Sequence, residues 1–381
     1  MIDTERMRAS FAKIADAGDE VPLFFYSHLF LSHPETRAMF PVSMMQQRDR
    51  LLGALVEVVA RVDDLDRLVP MLQQLGRDHR KFGTLADHYP AVGESLLATL
   101  AHFIGDDWTP EVAADWAAAY GLVAQVMVEA AEEVTGEPPW WDAKVVSHER
   151  RTLDVAVIQV QPQPKLDFEP GQSVSIETGL RPRLWRFYSL ANAPREDGIL
   201  EFHVKAMDGG PVSSALVRGL AVGDIVRLGP PVGQLTLDPE SDRDVLLIAG
   251  GTGLAPMKAL IQHVAQQESP RRVDLFVGAR TERDLYDQDD LVRLDRLYPW
   301  LTVTTAVSHE EAYPGEKGLI SDIVVRNGPW RSRDVYVCGS PEMVKATVSQ
   351  LIQARVPEQR IRVEEFTPSW PGPKVGGDLI P

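Results

Sequence analysis

Arg186-Phe187-Tyr188-Ser189 places a cation, an aromatic ring and a hydroxyl on one extended run, where residues two apart share a face. A flavin nucleotide asks for such a set: a cation and donors for its phosphates, and an aromatic face or hydroxyl against its ring system. Gly209-Gly210-Pro211-Val212-Ser213 then reads as a turn into a helix whose first amides could hold a pyrophosphate. Further along, Leu247-Ile248-Ala249-Gly250-Gly251-Thr252-Gly253-Leu254-Ala255-Pro256 reads as a strand, a glycine turn and a helix start. Such a turn lets main-chain amides approach the diphosphate of a nicotinamide dinucleotide. Cys338-Gly339-Ser340-Pro341 repeats the arrangement after a later strand, at the strand end where an open α/β sheet binds its ligand. Each piece alone also has a plain reading: an ordinary strand, a tight turn without a ligand, a buried structural cysteine. Together they point to electron transfer between a nicotinamide dinucleotide and a flavin.

These residues must be positioned by a chain of 381 residues, which is enough for two or three domains, and three is the working expectation. Hydrophobic residues at 44% and charged ones at 25% are ordinary for a globular protein with real cores. Lys plus Arg number 39 against 55 Asp plus Glu, and the formal charge of −16 argues against nucleic acid or an anionic membrane as partner. The first residues mix both charges where a secretory signal needs an apolar run, and no segment approaches the ~20 apolar residues of a membrane span. A cytoplasmic protein with no obligatory protein partner is expected. The single cysteine, Cys338, excludes an internal disulfide, a cysteine zinc site and a four-cysteine iron–sulfur cluster within one chain. Any further redox centre must therefore be of another kind.

From about residue 5 to 135 the apolar spacing is helical, with breaks at Pro34, Phe40-Pro41, Asp63-Asp64, Pro70, Gly83 to Pro90 and Gly105 to Pro110. Six or seven helices are expected, one of them opening at Thr109-Pro110-Glu111 with a hydroxyl cap and a first-turn proline. Gly136-Glu137-Pro138-Pro139 closes this block. Short β-rich runs follow from Trp141, at 153–158, 174–176, 200–205 and 224–228, and suggest a small antiparallel barrel. After Pro239, apolar strands at 245–249, 273–277, 301–306 and 335–337 alternate with helical stretches, the pattern of an open parallel α/β sheet. The expected division is 1–136 helical, 142–238 barrel and 239–366 α/β, with a loosely ordered tail over 367–381.

The second and third parts resemble the ferredoxin-reductase-like flavoproteins. Pro170-Gly171-Gln172, Arg186 to Ser189, Gly209 to Ser213, Gly251 to Pro256, Val337-Cys338-Gly339 and Glu364-Glu365-Phe366 occur in that family's order. The resemblance implies an FAD held by Ser173, Arg186, Phe187, Tyr188, Ser189, Gly210, Val212 and Ser213, with Tyr188 stacked on the flavin. It implies a dinucleotide held by Gly251, Thr252, Gly253, Leu254, Ala255 and Pro256, with Cys338 near the nicotinamide and Phe366 closing the flavin pocket. NADH and NADPH both stay open: Arg280 and Arg283 could meet a 2′-phosphate, whereas Glu282 and Asp284 could accept from a ribose hydroxyl.

In the helical part, an electron acceptor without cysteines suggests haem, which needs an axial ligand on an apolar helix face. His79 shares such a face with Leu72, Leu75 and Phe82, although a lone histidine there also reads as a satisfied core residue. His88 stands at a break and His102 in a helix whose pattern closes without it. Phe25 to Phe30, His33-Pro34, Phe40, Gln47-Arg48 and Leu51, then Leu75 to His79, His88 to Leu100 and Trp116 to Tyr120, together resemble the globin domain of the flavohaemoglobins. With the reductase part, that resemblance runs over residues 5–366. It implies an all-α globin carrying haem b with His79 as the metal ligand, Tyr26 and Gln47 hydrogen-bonding dioxygen, and Phe40 packed on the porphyrin. Tyr89 would join a proximal hydrogen-bond network around His79. The family's proximal glutamate falls on Ala131, flanked by Glu129, Glu132 and Glu133, so either Glu132 serves through a local shift or the network is incomplete. The implied activity is that of a nitric oxide dioxygenase acting on O2 and NO at the expense of NAD(P)H. Rival readings are a globin reductase with another acceptor, and an oxygen sensor or store kept ferrous by its reductase.

Overall fold

The structure, a computed structural model, describes residues 2–15 and 17–366. The expected tail over 367–381 lies outside the described residues. The chain forms two compact units that meet in sequence at Pro139 and Trp140, so that the barrel and the parallel sheet belong to one unit.

The first unit is helical: α1 (Thr4–Ala15), α2 (Glu20–Ser32), α3 (Met45–Arg61), α4 (Leu65–His79), α5 (Tyr89–Ile104) and α6 (Pro110–Glu133), joined by short 3₁₀ turns. Six α-helices among the described residues of this unit agree with the expected number, although the break between α1 and α2 is not among those read from the apolar spacing. Thr109 caps α6 as expected, its hydroxyl oxygen accepting from the Val112 amide at 3.3 Å. Pro70 does not break the chain; it lies inside α4. The face of α4 that carries Leu68, Leu72 and Gly76 is buried, and tertiary packing outweighs the lost main-chain donor. Gly76 explains how closely α4 meets α6, since a Cβ there would overlap the Met127 carbonyl oxygen. Met7, Phe25, Tyr26, Leu29, Leu100 and Trp116 form the main core of the unit.

The second unit begins with six strands, β1 (Trp141–Arg150), β2 (Val155–Gln163), β3 (Ser173–Thr178), β4 (Arg186–Ser189), β5 (Leu200–Lys205) and β6 (Ile225–Leu228), with α7 (Pro211–Arg218) before β6. Their order is β4-β3-β6-β1-β2-β5, every pairing antiparallel. A bridge between Leu190 and Phe202 brings the two edges together, so the barrel is nearly closed and little strand edge is left unpaired.

The remainder is a parallel sheet of β7 (Val245–Gly250), β8 (Val273–Ala279), β9 (Leu301–Val307), β10 (Glu316–Lys317), β11 (Asp334–Gly339) and β12 (Ile361–Glu365). It is covered by α8 (Leu254–Ala265), α9 (Gln288–Leu297), α10 (Ile320–Arg326) and α11 (Pro341–Gln353). Its order, β10-β9-β8-β7-β11-β12, reverses direction between β7 and β11, which opens a crevice at their C-terminal ends. The glycine turn at Gly251–Gly253 and the Gly339-Ser340 corner both stand there. A multidomain chain with an all-α globin part, an antiparallel barrel and a parallel α/β sheet is what the residue patterns led us to expect. The apolar–polar alternation of β12 is short enough to escape notice in sequence.

Candidate functional site

In the helical unit His79 is the last residue of α4. The His79 side chain is partly buried, and its Nδ1 lies 2.7 Å from the Leu75 carbonyl oxygen. A carbonyl can only accept, so Nδ1 carries the proton and Nε2 is left as a lone-pair donor. Burial also pushes the imidazole below its usual range, against the Leu75 hydrogen bond and Asp78, which favours the neutral ring. A neutral imidazole with a free Nε2 lone pair is what a haem iron needs from its proximal ligand. The Phe82 ring stands edge-on at 6.0 Å and shields it.

Tyr26 on α2 is 6% exposed and its hydroxyl donates to the Gln47 main-chain carbonyl at 3.3 Å. Burial drives the phenol well above its ordinary range, so it stays protonated, and in this structure its one O–H goes to Gln47. Phe30 and Phe40 pack on its ring, at 5.8 and 5.5 Å between centroids. Gln47 opens α3 and is partly exposed. Tyr89 packs on the small core of Leu68, Leu72 and Met127, next to Leu75. Burial pushes its phenol up to about 12, and its carbonyl accepts from the Tyr120 hydroxyl at 2.6 Å.

Glu132 is the exception. It is exposed on α6, about 200° around the helix from Ala130, which is buried. Its carboxylate therefore faces away from the stripe that packs on α4. Glu133 points elsewhere too, accepting from Arg77 at 3.1 Å. The charged pair nearest His79 is one that sequence reading missed: Asp78 and Lys81, both buried, at 3.0 Å. Opposite charges at helical spacing beside the histidine were the available signal.

In the second unit, β3 and β4 bring Ser173 opposite Ser189 and Val174 opposite Tyr188. Ser173 and Ser189 are buried, while Arg186, Phe187 and Tyr188 keep partial exposure. The Arg186 guanidinium donates to the Trp185 carbonyl at 2.7 Å, and burial lowers its pKa. At the turn into α7, Gly209 has φ +70 and Ser213 Oγ accepts from the Met207 amide at 3.1 Å. Val212 is buried in the barrel core, and the amides at the start of α7 are left free to meet an anion.

At the crevice Gly251 has φ +54, which only glycine adopts at little cost. A Cβ on Gly253 would overlap the Cys338 carbonyl oxygen, so the turn lies directly against the end of β11. Thr252 sits within that turn, and Leu254, Ala255 and Pro256 start α8 with their side chains buried. These are cradles for a diphosphate made of main-chain amides. Nearby, Asp284 accepts from the amide and hydroxyl of Thr281 at 3.0 and 2.9 Å, whereas Arg280 and Arg283 are exposed.

Cys338 is fully buried, and its Sγ lies 4.0 Å from Glu364 Oε2, which also accepts from the Ser189 hydroxyl at 3.3 Å. Burial raises the Glu364 carboxyl to about 7 against that hydrogen bond, and burial with Glu364 beside it pushes the thiol up. Glu364 thus joins the flavin strand to the nicotinamide strand with a proton it can hold near neutrality. Sequence reading saw it only as part of a motif. Phe366 stands 36% exposed at the end of β12, its amide tied to the Gly339 carbonyl at 2.9 Å.

Known proteins share this arrangement. The globin family matches residues 23–127, the oxidoreductase FAD-binding domain 141–237 and the oxidoreductase NAD-binding domain 247–349. The chain is therefore an oxidoreductase that couples a haem globin to an FAD- and NAD-binding module. A flavohemoprotein of Bordetella parapertussis is 30% identical, covering 94% of this chain and 96% of that one, and one of Bacillus subtilis is 27% identical with 96% of each covered. The chain belongs to the flavohaemoprotein family. Among solved structures, a Malassezia yamatoensis flavohemoglobin with bound FAD and heme shares the fold, at TM-score 0.76 and 20% identity over 96% of this chain and 98% of that one. The FAD/NAD-binding domain of a nitric oxide dioxygenase from Vibrio cholerae matches at TM-score 0.54 and 25% identity, over 60% of this chain and 99% of that one.

Proposed function

We propose that this flavohaemoprotein is a nitric oxide dioxygenase, spending NAD(P)H to convert NO and O2 to nitrate. The observation that carries the reading is that one helical unit holds both a buried Tyr26 hydroxyl and a His79 whose Nδ1 is tied to the Leu75 carbonyl, which leaves Nε2 to bind iron. A bound FAD would supply a hydride acceptor able to release electrons singly, and a bound haem would supply the iron at which O2 and NO could meet. The chain's own part is positional. Tyr26, with Gln47, supplies a hydrogen-bond donor where negative charge develops on oxygen, in a pocket that Phe30 and Phe40 keep from bulk water. His79 is oriented by the Leu75 carbonyl, and Tyr89 packs behind it. Arg186, Tyr188 and Ser189, with Ser173 and the 209–213 turn, hold the flavin; the 251–256 segment holds the dinucleotide against Cys338. Glu364 holds or gives up a proton between Ser189 and Cys338. Among the described residues no helix is long and apolar enough to cross a membrane.

The test is NO-dependent NADH consumption yielding nitrate by the haem- and FAD-loaded protein, compared with Tyr26→Phe. Loss of at least about tenfold in NO turnover in the variant supports the reading, and unchanged turnover overturns the role of Tyr26. A second reading, an oxygen store kept ferrous by its reductase, has the outward-facing Glu132 in its favour, because His79 Nδ1 then donates to the Leu75 carbonyl and not to a carboxylate. Slow NO turnover with slow O2 release would select it.

A further inference from the structure

Beside the dinucleotide turn lies a buried polar chain that the reading above leaves unused. His203 on β5 is 4% exposed, with Nε2 3.1 Å from Glu201 Oε1 and Nδ1 2.7 Å from the Tyr286 hydroxyl. Gln159 on β2 also donates to Glu201, at 2.8 Å. Lys258 on α8, 5% exposed, lies 2.6 Å from Asp287 and from Asp290 and 3.8 Å from Glu201. Arg151 faces Asp287 at 3.9 Å and Arg293 pairs with Asp290, so three cations meet three carboxylates. Burial alone would raise Glu201, but the His203 hydrogen bond and Lys258 outweigh it and hold the carboxyl at about 2. The histidine is kept neutral by burial against the pull of Glu201.

These charges fix the direction of the chain. An ionised Glu201 can only accept, so His203 donates from Nε2, and its Nδ1 must accept from the Tyr286 hydroxyl. The phenol is thereby locked in one rotamer, its ring perpendicular to the imidazole at 5.5 Å. Tyr286 follows the C-terminal end of β8 and is only partly buried, packing on the core that contains Cys338. β5, β8 and β11 all touch the Gly251–Gly253 turn, so the His203–Tyr286 bond spans the crevice end on which that turn opens. A network of this size is costly to bury unless fully satisfied, and Tyr286, partly buried just after β8, is the member that ends it on the sheet side of the crevice.

We infer that Tyr286, locked by His203 and Glu201, is a positioning residue for the nicotinamide half of the dinucleotide, forming the wall against which that ring is held toward the flavin. This rests on the assignment of the 251–256 segment to the dinucleotide. Its test is anaerobic single-turnover reduction of the flavin in the haem- and FAD-loaded protein, by NADH or NADPH, whichever reduces the parent faster, and by its 4-deuterated form. ADP-ribose, which lacks nicotinamide, serves as the binding probe. Tyr286→Phe is expected to slow the limiting reduction rate about tenfold, raise the deuterium isotope effect and weaken the nicotinamide–flavin charge-transfer band, with ADP-ribose affinity unchanged. His203→Leu should do the same. His203→Gln, which can still donate to Glu201 and accept from Tyr286, should recover part of the rate. Reduction by Tyr286→Phe within about twofold of the parent, with the same isotope effect, overturns the inference. So does a parallel loss of ADP-ribose binding, which marks a merely structural role. A parent flavin that neither nucleotide reduces would refute the dinucleotide assignment itself and carry this inference with it.

Discussion

Ser189 on β4 and Glu364 on β12 are 175 residues apart, yet the serine hydroxyl donates to the Glu364 carboxylate at 3.3 Å. One residue comes from the barrel and the other from the last strand of the parallel sheet. Cys338, a neighbour of Glu364 across the β11–β12 pair, reaches the same carboxylate oxygen at 4.0 Å. The flavin-binding and dinucleotide-binding halves therefore share one protonatable group.

That group makes stability depend on pH in a definite direction. Glu364 has a folded pKa of about 7, above the ordinary carboxyl value of 4.5, so the folded state holds the proton more tightly. Its contribution is full below about pH 4.5, falls as pH rises toward 7 and is gone above that, on the order of 3 kcal/mol in all. Urea unfolding at pH 5 and pH 8 should show this loss in the parent and not in Glu364→Gln. Equal pH slopes in the two proteins would refute it.

His79→Ala should give a protein that keeps its flavin absorbance and lacks the Soret band, because the variant has no axial donor on α4. Imidazole added to His79→Gly should restore the band. A full haem complement in His79→Ala would show that another residue holds the iron.

Gly253→Ala places a methyl onto the Cys338 carbonyl, and neither backbone can yield without moving β11. A loss of about 1–3 kcal/mol is expected, with weaker dinucleotide binding. Thermal unfolding and ADP-ribose titration measure the two effects, and a neutral result on both would mean that the turn does not lie against β11.

Gly76→Ala tests the helical unit in the same way, since the new methyl meets the Met127 carbonyl on α6. Forcing α4 from α6 should cost about 1–3 kcal/mol and loosen His79, three residues further along α4. Faster transfer of haem to apomyoglobin should accompany the loss; unchanged transfer would show that the α4–α6 contact does not steady His79.

Sequence alone determined what depends on neighbours along the chain. The Thr109 cap, the helical spacing around His79, the glycine turns at 209–210 and 251–253 and the period of the strands are each set within a few residues by sterics and hydrogen-bond geometry. The order of those motifs then sufficed to indicate a globin followed by a flavin and dinucleotide module. Tertiary structure alone decided which way side chains point and what they meet. Pro70 continues a helix because a buried face holds it, and Glu132 turns to solvent because Met127 and Ala130 define the packed face of α6. Glu364 meets Ser189, and Tyr286 meets His203, only because a strand order and a register bring distant segments together. Local energies specify elements, whereas the partners of a buried polar group are chosen by the packing of elements far apart in sequence.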